Sequence, residues 1–306
     1  MPFITDYRPK TFDEVVGNEA TVHSLKSLLS KPNPPKSFLL HGPTGCGKTT
    51  LGRLIADALH CSDKDYTEVD AADFRGIDTV REIRRQMSFR PMGGPSRVWL
   101  LDECHALSSD AMTALLKALE DPPSHAYFIL CTTDPQKLLP TIRGRCSEHA
   151  VAPLTDGEML RLLRSVVRAE GSTLPRDAYQ QITESSRGLP RTALALLEKI
   201  LCLPEDQQVE AAKVIADEQT QVIELCRALL NPAAGWKKVR TILAGLQDQD
   251  PESIRRQILG YFSAVLVKEE NDHVASVIEE FLEPLYNTGR AGLIYACYAI
   301  VRRSNE

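Results

Sequence analysis

No apolar run in this sequence is long enough to cross a membrane. The longest, Leu293–Val301, has nine residues where a spanning helix needs roughly 20. The N-terminus, MPFITDYRPK, lacks the apolar stretch of a signal peptide, so export is not expected. The eight cysteines stand singly, with no Cys-x-x-Cys pair and no disulfide-like framework. Unpaired thiols without an export signal point to a reducing cytoplasm. Net positive charge is lacking too: at −5, the chain is not a protein that coats DNA wholesale. Internal repeats and low-complexity tracts are missing.

What is present suggests two or three domains, because 306 residues exceed one compact core. The charge is uneven. Residues 205–306 carry 16 acidic and 11 basic residues, whereas residues 1–204 balance at 25 each. Within the balanced part, Arg75–Arg97 holds six arginines against Asp78 and Glu82. On residues alone this is equally a binding surface and a solvated helix face.

Over the first 150 residues, short apolar runs alternate with helical patterns. Residues 37–40, 66–69, 97–101, 126–131 and 148–151 read as strands. Continuous apolar runs predict burial on both faces, hence a parallel α/β sheet. Strand signals stop at Leu154. Thr155 and Glu158 then form a capping-box pattern, a second helix follows Pro175, and Gly188 and Pro190 punctuate before a third. Residues 204–306 read as five or six amphipathic helices, broken near Pro204, Asn231–Pro232 and Asp250–Pro251. The expected division is an α/β domain over 1–153, a small helical domain over 154–203 and a helical domain over 204–306.

Gly42–Thr49, GPTGCGKT, satisfies the phosphate-loop pattern G-x-x-x-x-G-K-[ST]. Gly42, Gly45 and Gly47 let the backbone curl, so that N–H groups of Pro43–Gly47 other than the proline's face a phosphate chain. Lys48 reaches the β and γ phosphates, and the Thr49 hydroxyl is a Mg²⁺ ligand. A strand precedes the loop and an apolar helix beginning with Thr49 and Thr50 follows, so the helix N-terminus also faces the anion. The run RVWLLDEC places Asp102 and Glu103 at a strand's C-terminal end, the edge where parallel sheets bind ligands. Asp102 suits an outer-shell Mg²⁺ role, and Glu103 suits the base that polarises attacking water. The chemistry implied is hydrolysis of ATP or GTP.

Further stretches carry a resemblance. YRPKTFDEVVGNEATVHSLKSLL resembles the N-terminal signature of clamp-loader ATPases. DECH, LLKALEDPP, TTDPQKLLPTI, GRC and RGLPRTALALLEK are similar to successive motifs of the bacterial gamma/tau subunits of the DNA polymerase III holoenzyme. The resemblance implies an AAA+ fold: a Rossmann-like P-loop ATPase domain, a helical lid, and an all-α collar through which five subunits assemble. It implies ATP rather than GTP, with adenine held between the lid and the segment containing Tyr7, Arg8, Pro9, Val15 and Val16. It assigns Thr133 as the sensor of the γ-phosphate or its attacking water, and Arg191 as the lid arginine on the nucleotide. Arg145 matches the arginine that enters a neighbouring subunit's active site. Arg143 is either its accessory or a solvated helix end.

Two departures from the pattern stand out. Gly144 replaces the usual serine before Arg145, which is expected to loosen the turn. Between Cys61 and Tyr66 the chain is very short where gamma/tau subunits carry a four-cysteine zinc module, so no zinc is expected. The shortened form suits a virus-encoded or divergent bacterial loader, working in the cytoplasm of its cell or host.

The resemblance also places the helix after VDAADFRG on the inner wall of a spiral, facing duplex DNA. Arg75, Thr79 and Ser109, at the N-terminus of the helix over 108–120, are the candidate phosphate contacts. The implied partners are other clamp-loader subunits, a ring-shaped sliding clamp and primer–template DNA; the clamp is expected to meet the segment around Phe89–Gly94 and the helix before it. The alternatives are another AAA+ DNA motor, such as a branch-migration helicase or helicase loader, and a non-hydrolysing scaffold subunit of the same assembly.

Overall fold

The computed structural model describes residues 2–204, 207–208, 221–231, 234–247, 249–267, 270–285 and 288–303. The chain divides into two compact units, Met1–Val209 and Glu210–Glu306.

The first unit is built on five strands: β1 (Ser37–His41), β2 (Cys61–Asp70), β3 (Ser96–Asp102), β4 (Ala126–Thr132) and β5 (Ser147–Ala150). They form one sheet in the order β2-β3-β4-β1-β5, and every pairing is parallel. The expected parallel α/β sheet is therefore present. Its apolar runs serve two cores at once, because successive strand residues point to opposite faces. Phe38, Leu40, Val98, Leu100, Ile129 and Cys131 join one core. Their alternates Leu39, Trp99, Leu101, Phe128 and Leu130 join the other. Trp99 and Phe128 are register partners whose rings stack at 5.4 Å, tying β3 to β4.

Helices α2 (Glu19–Leu29) and α3 (Lys48–Ala58) cover the first face through Val22, Leu25, Leu51 and Ile55. Helices α4 (Ile77–Gln86) and α5 (Ser109–Glu120) cover the second through Val80, Ile83, Ala111 and Leu115. A short α1 (Phe3–Asp6) precedes them, and α6 (Pro140–Arg143) lies between β4 and β5. Helices α7 (Asp156–Ala169), α8 (Arg176–Ser186) and α9 (Pro190–Leu201) follow. The capping box on α7 is formed as expected. Thr155 accepts from the Glu158 N–H, and Glu158 reaches back to the Thr155 N–H at 2.8 Å.

One strand differs from its expected span. β2 begins at Cys61 rather than Tyr66, and its register with β3 shifts between those residues. The sequence there, CSDKD, is too polar to read as a buried strand. Only Asp65 of this stretch is buried, its carboxylate turned inward to the half-buried Arg97. That pair also removes Arg97 from the surface arginine cluster. Arg81 and Arg85 are paired within α4 to Asp78 and Glu82, so the exposed positive field there is weaker than the residue count implies.

The second unit is helical where described. Its helices are 221–230, Trp236–Gly245, Pro251–Leu266, Asp272–Glu280 and Gly289–Arg303. One core joins them, with Phe262, Phe281 and Leu225 fully buried. The break at Asp250–Pro251 is a helix start, with the Asp250 carboxylate accepting from Ser253 N–H at 2.8 Å. Pro232 lies outside the described residues. Glu252 accepts from the Arg255 guanidinium at 2.7 Å and from the Leu285 N–H at 2.9 Å, which lowers its carboxyl to about 2. Among the described residues no helix is long and apolar enough to cross a membrane.

Candidate functional site

The sheet order sets the site. β3 and β1 flank β4, so the loop after β1, the acids ending β3 and the threonines ending β4 converge at one edge. The loop is anchored by the Gly42 N–H, which donates to Thr132 O at 3.2 Å. Gly42 tolerates no side chain, since a Cβ there would lie 2.0 Å from the Val151 carbonyl oxygen. Gly47, at φ +108°, holds the left-handed turn that aims the N-terminus of α3 into the loop.

Lys48 opens α3 and is 5% exposed. Its ammonium donates to the Gly42 and Pro43 carbonyls, at 2.9 and 3.0 Å, and so lies across the loop's mouth. The Thr49 hydroxyl donates to Asp102 Oδ2 at 2.7 Å. The other Asp102 oxygen accepts from the Glu103 N–H at 2.9 Å. Glu103 itself sits in the left-handed region at φ 45°, ψ 41°, rare for a side chain without local support. Its Oε2 accepts from the Thr133 hydroxyl at 3.2 Å and faces His105 Nδ1 at 3.3 Å.

These groups border a cavity of about 900 Å³ within the first unit. Thr44, Gly45, Cys46, Gly47, Lys48, Thr49 and Thr50 line its floor, beside Asp102 and Glu103. Tyr7, Arg8, Pro9, Val15 and Val16 line one wall, and Arg191 with Leu194 of α9 the other. Arg191 packs on the loop, its N–H donating to Gly45 O at 3.4 Å. Gly42 and Pro43 form the loop's first turn behind the lining, and Thr133 reaches the site through Glu103. The residues expected around a nucleotide are thus brought together.

Sequence reasoning missed several contacts near this mouth. The Tyr7 hydroxyl hydrogen-bonds to the Glu170 carboxylate just past α7, which pushes the phenol up to about 12. Arg53 and Tyr66 both bond Glu68, at 3.0 and 2.9 Å. Arg8 lies by Arg53 and Arg191, and burial with those like charges lowers its pKa. No local pattern announces contacts between residues as distant as 7 and 170. His105 was visible in DECH, but only the Glu103 turn brings its ring back onto the carboxylate.

Arg145, Arg75, Thr79 and Ser109 lie away from the cavity lining. Arg145 donates to Glu120 Oε1 at 2.7 Å and to Thr141 O at 2.9 Å, and its side chain is 36% exposed. Arg143 is tied to Glu148 and Gln136, at 3.1 and 3.2 Å. Gly144 has ordinary right-handed angles, φ −65° and ψ −11°, so its glycine does not open the turn. Arg75 is exposed, and its carbonyl accepts from the Ser108 N–H at 3.0 Å. That bond joins the start of α4, with Thr79 in its first turn, to the start of α5, where Ser108 caps and Ser109 follows.

Comparison with known proteins adds kinship. The family described as DNA polymerase III, delta subunit, matches residues 70–155. The DNA polymerase III subunit tau of Bacillus subtilis is 30% identical over 300 residues, covering 90% of this chain and 53% of the relative. The gamma/tau subunit of Mycobacterium tuberculosis is 28% identical over 309 residues, covering 90% and 52%. The chain therefore spans about half the length of these curated relatives. Among solved structures, the Thermotoga maritima RuvB Holliday junction branch migration motor superposes with a TM-score of 0.60 at 22% identity, covering 80% of this chain and 86% of that one. That likeness shows the fold alone.

Proposed function

We propose that this chain, an AAA+ relative of the DNA polymerase III gamma/tau subunits, is the ATP-hydrolysing subunit of a sliding-clamp loader. The observation that carries the reading is the meeting of Lys48, the Thr49–Asp102 pair and the Glu103–Thr133 pair at the ends of β1, β3 and β4. A scaffold subunit that does not hydrolyse has no need of this set. The RuvB likeness, being one of fold, does not favour a branch-migration motor.

ATP binds with its phosphates in the loop, where Lys48 exchanges the Gly42 and Pro43 carbonyls for β- and γ-phosphate oxygens. The base lies between the Tyr7–Gly17 segment and α7–α9, with Arg191 on the phosphates. Mg²⁺ fits the donor set: Thr49 and Asp102 offer hard oxygens 2.7 Å apart, and this ion takes only one or two protein ligands beside phosphates and water. It would neutralise charge on the phosphate oxygens. Glu103 accepts a proton from the attacking water as the water oxygen bonds the γ-phosphorus. The bond to the ADP oxygen breaks, and ADP leaves with that electron pair.

Arg145 acts on the nucleotide of the adjacent subunit, so hydrolysis depends on assembly. Residues 1–153 serve as the ATPase domain, 154–203 as the lid and 204–306 as the collar of a pentamer in the cytoplasm. Arg75, Thr79 and Ser109 hold DNA phosphates without reading sequence. ATP binding orders the assembly on an open clamp, and primer–template DNA then triggers hydrolysis and release of the closed ring.

The deciding experiment measures ATPase activity of the assembly with clamp, with primed DNA, and with both. Stimulation that requires both together is expected. A rate indifferent to the clamp would refute the reading, and clampless strand exchange on branched DNA would replace it with the motor.

A further inference from the structure

Glu103 presents an asymmetry that the catalytic assignment does not explain. Oε2 accepts from the Thr133 hydroxyl at 3.2 Å and lies at ion-pair distance, 3.3 Å, from His105 Nδ1. Oε1 has no hydrogen-bond partner among the described residues. His105 Nδ1 also lies 3.0 Å from the hydroxyl oxygen of Thr132, which is fully buried and already accepts from the Asp134 N–H. Two oxygen atoms carrying lone pairs thus converge on one ring nitrogen. The Thr132 hydroxyl can donate to a bare Nδ1 or accept from a protonated one; a proton on Nδ1 is the arrangement that also sets a donor, rather than a lone pair, against the carboxylate.

The backbone explains how a residue two positions on can do this. Glu103 in the left-handed region reverses the chain into a one-turn helix at Cys104–Ala106, and the reversal brings the imidazole back beside the carboxylate. Thr132, at the end of β4, fixes the ring from the far side. A glutamate is otherwise a flexible side chain with several rotamers to lose. Two contacts on one oxygen restrict that choice and leave the other oxygen without a hydrogen-bond partner among the described residues.

We propose that His105 is a positioning residue: with Thr133 it clamps one oxygen of Glu103, so that the other is presented to the attacking water. The inference rests on the ATPase reading for its consequence, although the contact itself does not. His105 never touches the nucleotide.

The test uses the full chain in its reconstituted assembly. His105→Ala is expected to lower single-turnover hydrolysis about 10- to 100-fold, the scale of a misplaced catalytic group, while ATP affinity stays within about twofold. His105→Asn, whose amide N–H can replace Nδ1–H, is expected to recover the rate to within about threefold. Hydrolysis by His105→Ala within about twofold of the parent, or no recovery in His105→Asn, overturns the proposal. A second measurement needs no turnover: the melting temperatures of His105→Ala, Glu103→Ala and the double variant. The paired losses should fall short of additivity by about 1–2 °C. Additive shifts would show that the two side chains do not interact. A parent assembly inactive with clamp and DNA would sink the ATPase reading, and the melting cycle would still decide the contact.

Discussion

Asp65 and Arg97 meet at 2.9 Å with the carboxylate wholly out of solvent. The same carboxylate accepts from the Met92 and Gly93 N–H groups and from the Ser62 hydroxyl. One buried side chain thereby fastens β2 to β3 and shapes the turn that exposes Met92. Those donors hold its pKa well below the ordinary carboxylate range against the opposing effect of burial. Asp65→Asn leaves the half-buried Arg97 guanidinium without its carboxylate and should destabilise the first unit by about 3 kcal/mol. A melting-temperature loss of about 6–12 °C would register it.

The sign of the pH dependence follows. A carboxyl whose folded pKa is depressed contributes stability that is complete above its unfolded pKa, near 3.9, and is lost as pH falls toward the folded value. The gap in melting temperature between parent and Asp65→Asn should be constant above about pH 5 and narrow below about pH 4. A gap that persists unchanged at pH 3 would refute the assignment.

Lys48→Ala removes the only ammonium lying across the loop's mouth among the described residues. Charge-assisted bonds to two phosphates are lost together. Nucleotide affinity should fall about 100-fold or more, read by titration with a fluorescent ATP analogue. The fold should survive, because Lys48 bonds only carbonyls of its own loop.

Arg145→Ala separates binding from turnover. Arg145 lies outside the cavity of its own chain, so the isolated variant should bind ATP as the parent does. In the assembly its hydrolysis should fall about 1000-fold, toward the lower range seen for arginines supplied in trans. Equal loss in the isolated chain would place Arg145 in cis. Glu120→Gln, which releases the guanidinium from its ion pair, tests whether that clasp orients Arg145 or withholds it.

Arg75→Ala should weaken duplex binding alike on any sequence. The slope of log affinity against log salt should become shallower by about 1, the share of one phosphate contact. Arg97→Ala should leave that slope unchanged, since its guanidinium is occupied by Asp65.

Much of this was legible in the linear chain. The phosphate loop, the strand ending in Asp102–Glu103 and the capping box on α7 are local patterns whose geometry follows from glycine freedom, strand burial and backbone capping within a few residues. The two-sided burial of β1, β3 and β4 was legible as well, because a strand covered on both faces has no polar alternate to interrupt it. Other features had no local signature. The extension of β2 back to Cys61 is anchored where Asp65 meets Arg97, 32 residues away, in a stretch whose Asp63 and Lys64 still face solvent.

The sequence alone determined which chemistry was available: a lysine and hydroxyl after a flexible loop, and two acids at the end of a buried strand. Tertiary structure alone decided where those groups point. Sheet order put β4 between β1 and β3, so that Thr133 just past its end could touch Glu103, and a left-handed turn at Glu103 brought His105 beside the same oxygen. Composition fixes what a side chain can donate or accept. Direction comes from packing across the sheet, which no stretch of neighbouring residues contains.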